Sequence, residues 1–210
     1  MPQLDLFNQP PEGYTSLEQL FEGMMAMDDD PLAEAGTNVV ISRGNPHAKL
    51  VIVGEAPGPQ ENIQGKPFVG RAGKMLDKIL DAANFDPEKD VFITNSVFRM
   101  PPGQAGKAFR KPSNEEIGAY KPYVLEIIRL VDPFILLLTG NVACQSILGQ
   151  TGITRLRGQW TPIGGRWAMP IFHPSYLLRN PSRKPGSPKA LMWEDIQEVR
   201  RRYDAMTALA

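Results

Sequence analysis

The sequence predicts an α/β protein: a three-layer α/β/α sandwich around a central, mainly parallel four-stranded sheet. Three observations carry that prediction. Short apolar runs at residues 50–53 and 134–138, the first closed by Gly54 and the second opened by Pro133, have the look of strands buried on both faces. Between such runs lie segments with apolar residues at helical spacing, most clearly Ile117, Tyr120, Val124, Ile127, Ile128 and Val131. The chain has 210 residues, 42% hydrophobic and 22% charged, which is enough for one sizeable core.

The elements follow in order. Residues 1–16, rich in Pro, Gln and Asn, read as a flexible N-terminal arm, and residues 17–210 as a single domain. Residues 17–27 make a short helix with Leu17, Leu20, Phe21 and Met24 on one face, broken by Asp28-Asp29-Asp30-Pro31. Residues 37–42 read as a strand and Gly44-Asn45-Pro46 as a turn. The first core strand, 50–54, leads into a Gly- and Pro-rich loop, 55–70, and then a helix carrying Met75, Leu76, Ile79, Leu80 and Ala83. Residues 91–94 form a second core strand, followed by a long loop, 95–111. Ser113 with Glu116 three residues on is a capping box, and the helix it opens ends at Pro133. A strand at 134–138, a short helix at 141–148, a strand at 167–172, a turn or short helix at 175–178 and a last helix at 189–203 complete the chain. Right-handed crossovers place the helices on both faces of the sheet. A ligand site then lies beyond the carboxyl ends of the strands, where loops 55–70, 95–111 and 173–188 emerge.

Composition narrows the function. No apolar run is long enough to span a membrane. The N-terminus, Met1-Pro2-Gln3-Leu4-Asp5-Leu6-Phe7, lacks the basic and apolar regions of a signal peptide, so a cytoplasmic protein is expected. The single cysteine, Cys144, excludes an internal disulfide and any all-cysteine metal site. Net charge is zero but unevenly spread. Residues 1–90 hold 7 Lys/Arg against 15 Asp/Glu, and residues 91–210 hold 16 against 8. From Pro133 to Trp193 there is no acidic residue, while Arg155, Arg157, Arg166, Arg179, Arg183, Lys184 and Lys189 all fall there. A basic face of this kind suits a polyanion such as DNA.

Each strand-end loop holds a distinctive group. The first has Gly54-Glu55-Ala56-Pro57-Gly58, then Glu61-Asn62, then Gly65-Lys66-Pro67-Phe68-Val69-Gly70-Arg71-Ala72-Gly73. The second has Thr94-Asn95, and the third His173-Pro174-Ser175-Tyr176-Leu177-Leu178-Arg179. These segments resemble the motifs of the uracil-DNA glycosylase superfamily, closest to its family 4. The similarity runs from about residue 37 to 193 and takes in Arg155-Leu156-Arg157-Gly158 and Trp193-Glu194-Asp195.

The resemblance implies an enzyme that flips uracil out of DNA and hydrolyses its N-glycosidic bond, leaving an abasic site for base-excision repair. The implied partners are uracil-containing DNA, single- or double-stranded, and free uracil as product. No membrane is involved, and a monomer is expected. Phe68 would stack on the flipped base. Asn95 would pair with O4 and N3–H, since an amide offers both an acceptor and donors. His173 would aim at O2, assisted by backbone N–H groups around Ala56, to stabilise the leaving anion. Glu61, or else Glu55, would orient the attacking water. Tyr176, Leu177 and Leu178 would wedge into the gap in the base stack, and Arg179, Arg110 and Lys107 would bind DNA phosphates. Two other readings share these motifs: a non-catalytic DNA-binding module, and a glycosylase preferring another deaminated base such as hypoxanthine or xanthine.

The sequence also departs from the family pattern. Ala56 stands where family 1 has an aspartate, and Asn62 where family 4 usually has Asp. Family 4 members usually hold a [4Fe–4S] cluster on four cysteines, and the corresponding positions here are Met27, Asp30, Arg99 and Tyr120. No cluster, other metal or organic cofactor is therefore expected. Loop 95–111 carries Lys107, Arg110 and Lys111 but no histidine to trap the abasic sugar, so turnover is expected.

Overall fold

A computed structural model describes residues 13–27, 29–103 and 108–209; most of the expected N-terminal arm, Asp28 of the acidic break and Lys107 lie outside these residues. Helix α1 (Leu17–Met25) starts at Ser16, whose hydroxyl accepts the Gln19 N–H at 3.3 Å, and it buries Leu20 and Met24. A 3₁₀ turn (Ala33–Ala35) follows, then strand β1 (Ser42–Gly44) and strand β2 (Leu50–Gly54). Helices α2 (Pro59–Gln64) and α3 (Arg71–Ala82) lead to β3 (Val91–Asn95) and the long α4 (Asn114–Val131). Strand β4 (Ile135–Thr139), helices α5 (Gly140–Leu148) and α6 (Ile153–Leu156), and strands β5 (Thr161–Ile163) and β6 (Arg166–Ile171) come next. The chain closes with α7 (Pro174–Arg179) and α8 (Pro188–Thr207).

The sheet has six strands in the order β1-β3-β2-β4-β6-β5. The four predicted core strands form its parallel centre, and the two short edge strands, β1 and β5, run antiparallel. The extended segment predicted as a strand over 37–42 pairs only at its very end. Its backbone is otherwise used by the loop after β3, where the Val40 N–H donates to Phe98 O at 2.7 Å, and by a side chain of β3 itself, the Thr94 hydroxyl, which donates to Ile41 O at 2.7 Å. Strand β5 is three residues long with Pro162 at its centre, which only an edge position tolerates.

Alternation along the central strands sorts the core. Val51, Val53, Phe92, Leu136 and Leu138 face a cluster built with α1, α4 and α5. Leu50, Ile52, Ile93, Leu137 and Met169 face the opposite cluster, built with α3, α7 and α8. The capping box of α4 is formed: Ser113 Oγ accepts the Glu116 N–H at 3.1 Å, and Glu116 accepts the Ser113 N–H at 2.7 Å. Two of the sequence's flagged segments meet where Arg157 forms a buried ion pair with Asp195, joining the end of α6 to α8. Trp160 and Trp167 sandwich the Arg202 guanidinium at 4.3 and 4.2 Å, so these rings fasten the β5–β6 hairpin to α8. No described helix is long and apolar enough to cross a membrane.

Candidate active site at the carboxyl edge of the sheet

Strands β2 and β3 end side by side, with Gly54 in register with Asn95. A Cβ on Gly54 would collide with Asn95 Oδ1 and with the Phe68 ring, so the bare glycine is what lets the two side chains meet. Asn95 is only 2% exposed, yet its carboxamide bonds no other described residue. Buried amides are normally satisfied by the protein. One left open at a strand end is suited to reading the polar edge of a ligand.

The Phe68 backbone sits in the left-handed region, with a φ of 54°. Its carbonyl presses on α3 at Gly73, where a Cβ would overlap it. The ring lies 5.9 Å, centroid to centroid, from the His173 imidazole, tilted by 31°. The three side chains expected to surround one base therefore converge, although they are distant in sequence.

His173 closes β6 and caps α7. Its Nδ1 accepts the Ser175 N–H at 3.2 Å and lies 2.8 Å from Ser175 Oγ. Because Nδ1 accepts a backbone N–H, the neutral ring carries its proton on Nε2. Burial, aided by the positive charges of Arg179 and Lys111, pushes the His173 pKa down to about 4. The ring is thus a neutral N–H donor across the physiological range.

Glu55 follows Gly54 and is half-buried at the same edge. Burial raises its pKa, while Lys111 and Arg179 oppose the rise. Its carboxylate bonds no other described residue. Ala56 comes next, packed against the α1–α4–α5 side of the core. Glu61, expected to orient the attacking water, has a different environment. Its Oε1 accepts the N–H groups of Val69 at 3.0 Å and Gly70 at 2.7 Å.

Two residues expected at the rim have other contacts in the structure. Leu177, expected in the wedge, is 1% exposed and belongs to the core beside Leu50 and Ile52. The phase of α7 turns it inward, while Tyr176, 38% exposed and 5.1 Å from the Phe172 ring, points out with Arg179. Arg110, expected on phosphate, is engaged by both oxygens of Glu116 at 2.6 and 2.9 Å. The adjacent exposed Lys111 joins Arg179 as a cation near Glu55 and His173. Its position in the strand-end loop was visible in the sequence, but its nearness to both groups was not.

The four positions that hold cluster cysteines in family 4 also converge here. Met27, Asp30, Arg99 and Tyr120 line one small cavity with Met24, Val39, Phe98 and Tyr123. Arg99 forms an ion pair with Asp30, and the Tyr120 hydroxyl donates to the same carboxylate. A thioether, a paired carboxylate, a guanidinium and a phenol do not fit an iron–sulfur cluster, which needs thiolates. Among the described residues no three His, Cys, Asp or Glu side chains are grouped to hold a metal. Cys144 is buried on α5 with its thiol pushed up to about 12 by burial, which leaves it unreactive.

The strand ends of this α/β sandwich thus gather an aromatic ring, an open amide, a neutral imidazole and a carboxylate at one edge. Residues 41–197 match the Uracil DNA glycosylase superfamily, and the chain belongs to it. It is 37% identical over 175 residues to the type-4 uracil-DNA glycosylase of Thermotoga maritima, covering 81% of this chain and 85% of that one. It is 32% identical over 194 residues to the type-4 enzyme of Sulfurisphaera tokodaii, covering 88% and 84%. A DNA polymerase of Bacillus phage SP01 matches at 32% over 152 residues, 72% of this chain but 16% of that one.

Proposed function

We propose that this protein is a uracil-DNA glycosylase of base-excision repair, acting as a cytoplasmic monomer on uracil-containing DNA. The observation that carries the reading is the convergence of Phe68, Asn95 and His173 around Gly54. A uracil flipped into this space stacks on Phe68. The Asn95 amide donates to O4 and accepts from N3–H; in that orientation it would meet cytosine donor to donor and acceptor to acceptor, which disfavours cytosine. The His173 Nε2–H, helped by backbone N–H groups at Ala56, stabilises the charge that develops on O2. One such donor is worth on the order of 3 kcal/mol. The C1′–N1 bond breaks with its electron pair leaving on uracil. Water adds to C1′, and its proton passes to Glu55. Glu55 suits this step better than Glu61 because its carboxylate is open and its pKa raised. Outside the pocket, Tyr176 fills the gap in the base stack, and Arg179 and Lys111 hold the flanking phosphates.

The match within a DNA polymerase favours one second reading, a glycosylase-like module that binds DNA without chemistry. Oligonucleotides carrying a single uracil, hypoxanthine or thymine, treated with the protein and then alkali, separate the possibilities. Breakage at uracil is expected. Breakage at none supports the binding module, and breakage at hypoxanthine alone moves the specificity to another deaminated base.

A further inference from the structure

We propose that Arg43 and Glu61 are positioning residues that together lock Phe68 in the left-handed conformation that its stacking role needs. Glu61 does so as a hydrogen-bond acceptor and takes no part in water activation. This inference rests on the reading of Phe68 as the ring under the flipped base.

A bulky residue rarely adopts a positive φ, and such a conformation persists only where its surroundings over-determine it. Around Phe68 they do. Arg43 Nε donates to Pro67 O at 3.0 Å, and its Nη2 donates to Phe68 O at 3.4 Å. From the other side, Glu61 Oε1 accepts from Val69 N at 3.0 Å and Gly70 N at 2.7 Å. Three consecutive peptide groups are engaged, and the Phe68–Val69 peptide is gripped at both its oxygen and its N–H.

Each arm of the clamp is itself anchored. Arg43 lies on β1 in register with Ile93, with its side chain 8% exposed. Its charge is met by Asp77 on α3 and by Glu88 at 3.1 Å. The Glu61 carboxylate fits between Gly58 and Gly70, where a Cβ would approach its oxygens to 2.9 and 3.1 Å. Gly70 is the N-cap of α3 and has no side chain to cap it, so Glu61 supplies the anionic cap from a distance. Helix α2, which carries Glu61, is tied down in turn. Asn38 N donates to Asn62 Oδ1 and Asn38 Nδ2 to Asn62 O, both at 2.7 Å. Release of the turn to an ordinary φ would swing the ring away from Gly54 and Asn95.

The test separates an acceptor from a base. In single-turnover excision of uracil from DNA, Glu61→Ala should be slower by about tenfold or more, the effect of a misplaced group. Glu61→Gln should restore most of the rate, because its amide oxygen still accepts both N–H groups, and it should keep the wild-type pH profile. In a Phe68→Ala background, Glu61→Ala should add little. A Glu61→Gln enzyme as slow as Glu61→Ala, or one that loses its acid limb, would overturn the clamp in favour of a catalytic carboxylate. A readout independent of activity is hydrogen exchange at the Val69 and Gly70 amides, expected to be slow in the wild type and in Glu61→Gln. Free exchange of both amides in the wild type would sink the clamp even if uracil excision were confirmed. Slow exchange in a protein that leaves uracil untouched would sink only the assigned chemistry.

Discussion

Two corners of the molecule hold buried polar groups, and they treat them in opposite ways. At the carboxyl edge of β2, β3 and β6, Asn95 and Glu55 have no protein partner among the described residues, and Nε2 of His173 is the proton-bearing face left for a ligand. Across the sheet, Asp30 is met by Arg99, the Tyr120 hydroxyl and the Leu32 N–H, the last at 2.9 Å. Burying a polar group without a partner is costly. A fold that leaves buried groups open in one place and gives a buried carboxylate three partners in another separates a region suited to binding from one that holds shape. The first corner should therefore be sensitive in rate and insensitive in stability, and the second the reverse.

The largest expected effect lies in the first corner. His173→Ala should slow uracil excision by roughly 10²–10³-fold, the loss of one preorganised donor to a developing anion. Asn95→Ala should slow it by at least about tenfold, since a base-reading site works through bonds that are otherwise unpaired. Asn95→Ala should melt within a few degrees of wild type in a thermal scan, because its carboxamide gives up no internal hydrogen bond, whereas His173→Ala also loses the cap that Nδ1 gives the Ser175 N–H. A strongly destabilised but fully active Asn95→Ala would reverse the comparison.

The next effect belongs to the second corner. Arg99→Ala leaves the Asp30 carboxylate, only 4% exposed, without its guanidinium. Removing one partner of a buried pair costs about 3–5 kcal/mol. Urea titration should show that loss, with excision per folded molecule nearly unchanged. The pair also sets a sign for acid stability. Burial pushes the Asp30 pKa up, but bonds from Tyr120, Arg99 and the Leu32 N–H outweigh it and hold it below 3.8. Its contribution is thus complete above pH 3.8 and lost as pH falls below it.

In the pocket the signs differ. Burial holds the Glu55 pKa above 4.5, so the carboxylate proposed to orient water protonates first as pH falls. His173 stays neutral until about pH 4. The acid limb of the excision rate should therefore sit above 4.5 and belong to Glu55. Glu55→Gln should be slow and should lose that limb, whereas Glu61→Gln should retain it. A limb near pH 4 that survives Glu55→Gln would hand the titration to His173.

Much of this was legible from local pattern. The parallel strands and α4 announce themselves by apolar periodicity and a capping box, both properties of contiguous residues. Phe68, Asn95 and His173 could be named because each lies in a distinctive strand-end motif. What was hidden depends on contacts across the fold. Glu55 and Glu61 both fall in the stretch the sequence presents as one loop, 55–70, and the fold separates them: Glu55 is half-buried at the strand end with no hydrogen-bond partner among the described residues, while Glu61, on α2, holds two backbone N–H groups. The inward turn of Leu177 is not legible in sequence, because six residues of α7 are too few to show a helical phase. Arg43 carries no local signal, since its partners lie 24 to 45 residues away.

The smallest predicted effect tests neighbouring cations. Arg110 and Lys111 look alike in sequence, and the structure divides their work. Arg110 spends its guanidinium on Glu116, and its N–H bonds Pro101 O at 3.2 Å, so it ties the base of loop 95–111 to the start of α4. Lys111 is exposed and contributes its charge to the pocket edge. Lys111→Gln should weaken DNA binding modestly and flatten the dependence of log K on log salt by about one unit, the signature of one lost phosphate contact. Arg110→Gln should leave that slope alone and lower stability by about 1–2 kcal/mol, because a charged hydrogen-bonding partner of the buried Glu116 is gone. Equal slopes for the two variants would mean that Arg110 leaves Glu116 for the phosphate when DNA arrives, and the division between holding and binding would have to be redrawn at this loop.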